Sequence, residues 1–88
     1  MKAKFFYVYV LRSLQDGNHY TGYSDDLKRR LAEHQAGRVT ATCQRLPVEL
    51  IYCEACRTQS DATRREKYLK SAWGKRFLKS RLRDYLTG

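Results

Sequence analysis

The stretch from Thr58 to Trp73 has helical spacing, and Glu66 falls on its inward stripe, four residues after Ala62 and three before Leu69. A carboxylate on a core-facing line loses hydration, which is costly unless a cation or hydrogen bonds replace the water. Lys70, at i+4, can supply an ordinary helical ion pair. A hard divalent cation can do the same, since Mg2+ often takes one or two carboxylates together with water and phosphate oxygens. Arg30 is the second residue of this kind. It borders the Leu27–Leu31 line of an earlier helix, and a guanidinium held at the edge of a core offers a fixed fork to a phosphate. His34 lies one turn further along the same side and on its own reads as a half-buried packing or capping histidine. Tyr7, Tyr9, Tyr20 and Tyr23 crowd one hairpin, where a turn at 16–18 lets Tyr9 and Tyr20 approach each other. Tyrosines on strands mostly pack. Two phenols beside an arginine, a histidine and a buried glutamate form a less ordinary set, suited to holding a cation, gripping a phosphate and moving a proton.

The elements that must position these groups follow from the pattern. Phe5 to Leu11 is aromatic and β-branched on both faces and predicts a central buried strand. Asp16-Gly17-Asn18 is turn chemistry, so His19 to Tyr23 returns antiparallel as a short second strand. Ser24-Asp25-Asp26 supplies an N-cap for a helix that runs to about Ala36, with Gly37 as its stop. Residues 38–47 read as a polar loop closed by Pro47, and Val48 to Cys53 as a third strand. Thr58-Gln59-Ser60-Asp61 starts the helix that bears Glu66 and carries Trp73 into the core. Gly74 interrupts it, and a last helix spans about Lys75 to Leu86 with Leu78, Leu82 and Leu86 as its stripe. The expected class is α/β (α+β): a small three-stranded, mainly antiparallel sheet flanked by three helices, in the order β-β-α-β-α-α. At 88 residues the chain is expected to form one domain over 1–88.

Eighteen Lys and Arg stand against nine Asp and Glu, a net +9 that points to an anionic partner. Residues 57–88 carry ten of the basic side chains and three of the acids, so the excess is concentrated there. A solvated helical face explains a basic run equally well. A membrane surface is disfavoured, because the cations surround no Leu/Phe-rich face. No apolar run approaches the length of a span, and Met1-Lys2-Ala3-Lys4 leads into a strand and not into a secretory segment, so the expected location is the cytoplasm. The cysteines are Cys43, Cys53 and Cys56. Their odd number and a reducing compartment argue against a disulfide framework. Cys53 and Cys56 have zinc-ligand spacing, with Cys43 or His34 available as further ligands. No second such pair completes the set, however, and Cys53 sits in an apolar run that suits a small buried thiol.

Tyr7-Val8-Tyr9, Tyr20-Thr21-Gly22, Ser24-x-x-Leu27-x-x-Arg30-Leu31 and Glu66-x-x-Leu69-Lys70, in that order, resemble the GIY-YIG nuclease superfamily over nearly the whole chain, and its small stand-alone bacterial members most. The resemblance implies a GIY-YIG domain and roles for individual residues. Tyr9 matches the last residue of the first motif, Tyr20 the first of the second, and Gly22 its glycine. Arg30 matches the catalytic arginine, Glu66 the metal-binding glutamate, and His34 a histidine found in some members. Tyr7 stands where the first motif has glycine, and Thr21 replaces isoleucine. Many members place an asparagine after the glutamate, whereas the only asparagine here is Asn18.

What the resemblance implies is an endonuclease that hydrolyses phosphodiester bonds in nucleic acid, DNA being the expected substrate, with Mg2+ or Mn2+ on Glu66. Arg30 would hold the non-bridging oxygens. Tyr9 or Tyr20 would take the proton of the attacking water, with Tyr20 preferred and His34 as an assisting group or alternative base. Lys28, Arg29, Lys70, Lys75, Arg76, Lys79 and Arg83 become candidate backbone contacts, and Trp73 or Tyr85 candidates to stack on an unpaired base. No obligate protein partner is evident. The alternative is a nucleic-acid-binding module that keeps the fold without the catalysis.

Overall fold

The computed structural model describes residues 3–88. β1 (Phe6–Ser13) and β2 (His19–Ser24) form a hairpin, α1 (Leu27–Gln35) follows, and β3 (Val48–Cys56) returns to the sheet. The chain ends in α2 (Gln59–Lys70), α3 (Ala72–Arg81) and the short α4 (Arg83–Thr87). The sheet order is β2-β1-β3, antiparallel throughout. The expected α+β class and element order are therefore the observed ones, extended by α4. Among the described residues no helix is long and apolar enough to cross a membrane.

β1 takes the middle of the sheet because it is apolar on both sides: Val8, Tyr9, Val10 and Leu11 are at most 1% exposed. The hairpin turns through Gly17, at φ +76°, while Asn18 donates its N–H to the Asp16 carboxylate at 2.9 Å. Of the three polar residues before α1, Asp26 is the cap, accepting the Arg29 N–H at 3.0 Å, and Gly37 stops the helix at φ +75°. Two cores result. Val8 and Val10 pack with Ala62, Leu69 and Leu78 beneath α2 and α3, whereas Tyr9, Leu11 and Val48 pack with Tyr20, Leu27 and Leu31 beneath α1. A bulge opposite Val10 and Leu11 lets the consecutive Ile51 and Tyr52 of β3 both join the α2–α3 core.

The structure corrects five details. β3 continues past Cys53 to Cys56, paired with β1 along its length. Within that strand Cys53 pairs with Tyr9 and Cys56 with Phe6, so they lie on opposite faces, and Cys53 is exposed instead of buried. Among the described residues no three His, Cys, Asp or Glu gather as metal ligands. The break after α2 falls at Ser71, not at Gly74. Ser71 has extended backbone, donates to the Tyr68 carbonyl, and caps α3 by accepting the Gly74 N–H at 3.2 Å. Gly74 lies inside α3, where a Cβ would collide with the Tyr68 carbonyl and the Leu69 backbone. Moving the break also moves Trp73 out of the core, to 68% exposure on α3. The last predicted helix is two, parting at Leu82.

Candidate active site

Tyr9 points from the middle strand toward α1, and its register partner on β2 is Gly22. A Cβ at position 22 would lie 2.6 Å from the Tyr9 hydroxyl oxygen and 3.0 Å from the Tyr20 ring. The glycine is required there because the phenol lies across it. Tyr20, paired with Leu11, stands diagonally from Tyr9 on the same face, with ring centroids 6.3 Å apart. The His34 ring of α1 completes a triangle, 5.6 Å from Tyr9 and 5.1 Å from Tyr20. His34 is fully buried, deeper than its sequence position implies, because Thr42 closes over it and bonds Nδ1 at 2.7 Å. Its Nε2 lies 2.9 Å from the Tyr9 Oη.

Burial, then the neighbouring Arg30 charge, hold His34 below its usual pKa, so it is neutral at pH 7 with a single N–H. Arg30 sits one turn earlier, near enough for its charge to act on the Tyr9 phenol, while its Nη1 donates to the Glu33 carboxylate at 3.0 Å. Among the described residues the one hydrogen-bond partner of the phenol is His34 Nε2. One ring nitrogen of the neutral imidazole donates and the other accepts, so the hydrogen bonds run in one sense along Tyr9, His34 and Thr42. Burial pushes the Tyr9 phenol up to about 12; Arg30 opposes that rise, and the charges of Tyr20 and Glu66 add to it. The resulting chain, Tyr9 to His34 to Thr42 with the Arg30 charge beside it, is a fixed polar spine between sheet and helix.

Glu66 comes from α2, on the opposite face of the sheet, yet its charge is felt at Tyr9. Its side chain is 22% exposed, and one carboxylate oxygen lies 3.1 Å from Lys70 Nζ. Lys70 also lines a groove of about 840 Å³ between the hairpin and the α2–α3 corner, together with Tyr20, Arg45, Lys75 and Lys79. Tyr20 thus opens to the groove while Tyr9 is sealed from it. The structure gathers Tyr9, Tyr20, Arg30 and His34 closely and brings Lys70, Lys75 and Lys79 to one groove. Lys28 lines a separate hollow beside Tyr7 and Leu31, and Arg29 pairs with Asp25 and Glu33. Arg76 stands outside the groove over the Trp73 ring. Sequence reasoning missed Glu33 and Thr42. Glu33 carried a usable signal, its i+3 spacing from Arg30; Thr42 carried none.

The sequence matches the profile of the GIY-YIG catalytic domain over residues 5–80. With the hairpin, the helix-borne Arg30 and the α2 glutamate in place, the chain belongs to that family. It is 44% identical over 71 residues to a UPF0213 protein of Lacticaseibacillus paracasei, covering 80% of this chain and 79% of the relative. A UPF0213 protein of the archaeon Natronomonas pharaonis is 47% identical over 66 residues, 74% of this chain and 76% of its own. The solution NMR structure of a UPF0213 protein from Bacillus halodurans superposes with a TM-score of 0.53 at 35% identity, covering 86% of this chain and 83% of that one.

Proposed function

We propose that this protein is a metal-dependent endonuclease of the cytoplasm that hydrolyses phosphodiester bonds in nucleic acid, with DNA the expected substrate. The observation that carries the reading is the junction of a polar spine, Tyr9–His34–Thr42 with Arg30 beside it, with a groove lined by Tyr20 and three lysines. Glu66 fits a Mg2+ or Mn2+ ion of the kind that keeps most of its water: a single half-buried carboxylate whose one partner among the described residues is the exposed Lys70. When bound, such an ion polarises the phosphoryl group and stabilises the departing oxygen.

The chain's own residues supply the rest. Arg30, fixed by Glu33 beside the Tyr9 phenol, presents its remaining N–H donors to the non-bridging oxygens of the scissile phosphate. Tyr9 stays protonated at neutral pH and serves as a buried hydrogen-bonding strut. Tyr20 lines the groove and is the phenol placed to take the proton of an attacking water there, with the neutral His34 edge-on to its ring. Lys75 and Lys79 hold the flanking strand.

A second reading, a binding module without catalysis, is favoured by the Lys70–Glu66 ion pair, which already neutralises the carboxylate. Incubation of single-stranded, duplex and branched DNAs with Mg2+ or Mn2+ separates the two. Cleavage by wild type and none by Glu66→Ala supports the nuclease. Binding by both proteins with no product from either supports the module.

A further inference from the structure

Trp73 is the most exposed large apolar side chain among the described residues, at 68%, and the only tryptophan of the chain. An indole left in water forgoes the burial that usually places tryptophan in a core or an interface. Slack in the fold is not the cause. Trp73 stands in the first turn of α3, where the Ser71 hydroxyl accepts the Gly74 N–H and Gly74 presses on the α2 backbone. The Arg76 guanidinium covers the ring, its carbon 5.1 Å from the centroid.

Other exposed aromatics are already engaged. Tyr85 donates to Glu49 and lies beneath Arg12. Tyr68 lies beneath Arg65, whose charge is spent on Glu54 through two hydrogen bonds. Phe5, at 37% exposure, lies beneath Arg57. Like Arg12 and Arg57, Arg76 pairs with no carboxylate among the described residues; it differs in sharing its helix with Lys75 and Lys79, which pair with none either. The whole of α3 contains four cations and no acid. At 3.6 residues per turn, its side chains follow one another around the helix in the order Lys75, Lys79, Arg76, Trp73. A path of unpaired positive charge therefore leads from the groove wall, where Lys75 and Lys79 stand, to the indole.

We propose that Trp73, with Arg76, is a stacking platform for an unpaired base of the nucleic-acid strand that runs through the groove. The strand's phosphates follow the cations, Arg76 offers charge and a planar face, and the indole offers a surface that any base can cover. This rests on the groove being a nucleic-acid track, but not on cleavage.

The single tryptophan is its own probe. Without divalent cations, an unpaired oligodeoxynucleotide should quench its emission. A strand of the same length built of abasic sites should bind, as read by the anisotropy of a label on the strand, without that quenching. Trp73→Ala should weaken binding of the normal strand by about tenfold and Trp73→Phe should restore most of it; circular dichroism checks that both variants fold. Equal quenching by the two strands, unchanged affinity in Trp73→Ala, or absence of binding overturns the platform. Cleavage is scored separately. Base-dependent quenching without cleavage keeps the platform and removes the nuclease, whereas cleavage without such quenching does the reverse.

Discussion

Burial raises the Tyr9 phenol from 10.0 to about 12, so the unfolded chain loses that proton before the native one does. Between those values the native state binds more protons, and stability falls as pH rises. The contribution is fully present below pH 10 and on the order of 2–3 kcal/mol smaller by pH 12. His34 acts at the other end. Its pKa is lowered from 6.5, so the unfolded chain takes up that proton first, and stability declines as pH falls through 6.5. Thermal unfolding across pH should show both limbs, with the alkaline one reduced in Tyr9→Phe; an unchanged alkaline limb would show that burial does not hold the phenol proton. At this scale much of the site is legible in the sequence. Strand alternation puts Tyr9 and Tyr20 on one face, and one helical turn puts Arg30 beside His34. Thr42 is not legible, because it lies in the aperiodic segment 38–47 and matters only through where that segment closes over His34.

Helix α2 carries Glu66 and is held by its neighbours more than by its own propensity. Arg65 forms two hydrogen bonds of 2.8 and 2.9 Å to Glu54 of β3, and its guanidinium lies 4.9 Å from both the Tyr68 and the Phe77 ring centroids. Gly74 makes the other contact, bringing α3 against the Tyr68 carbonyl and the Leu69 backbone. Two effects therefore oppose each other in Gly74→Ala. Helix propensity favours alanine by about 1 kcal/mol. The added Cβ must push α3 away from α2, at about 1–3 kcal/mol. Because the colliding atoms are backbone, the collision wins, and chemical denaturation should show a net loss of stability; a gain would mean that the corner between the helices is loose. The same contact explains why this corner misleads a reader of the sequence. A glycine within a helical pattern looks like the break, whereas Ser71, three residues earlier, holds the cap, and the displaced break turns Trp73 from a core residue into a surface one.

The charge of the whole molecule is unevenly spent. Arg29, Arg30, Arg64, Arg65 and Lys70 each face a carboxylate, whereas Lys75, Arg76 and Lys79 face none among the described residues. Part of the net +9 thus stands uncompensated on α3 beside the groove, an excess that composition foretells in amount but not in place. Each phosphate neutralised by a cation releases counterions, so the logarithm of the binding constant falls linearly with the logarithm of salt, by about 0.7 per contact for single strands and 0.9 for duplex. Lys79 stands in the groove without an acid to satisfy it, and Lys79→Gln should reduce that slope by about one contact's worth, roughly 0.7–0.9. Lys28 carries the same formal charge but lines a separate hollow, so Lys28→Gln should leave the slope near its wild-type value. Salt titrations of DNA binding for the three proteins decide the matter. Equal loss in both variants would mean that the strand follows net charge and not the groove, because only a strand seated in the groove distinguishes two lysines of equal charge by their position.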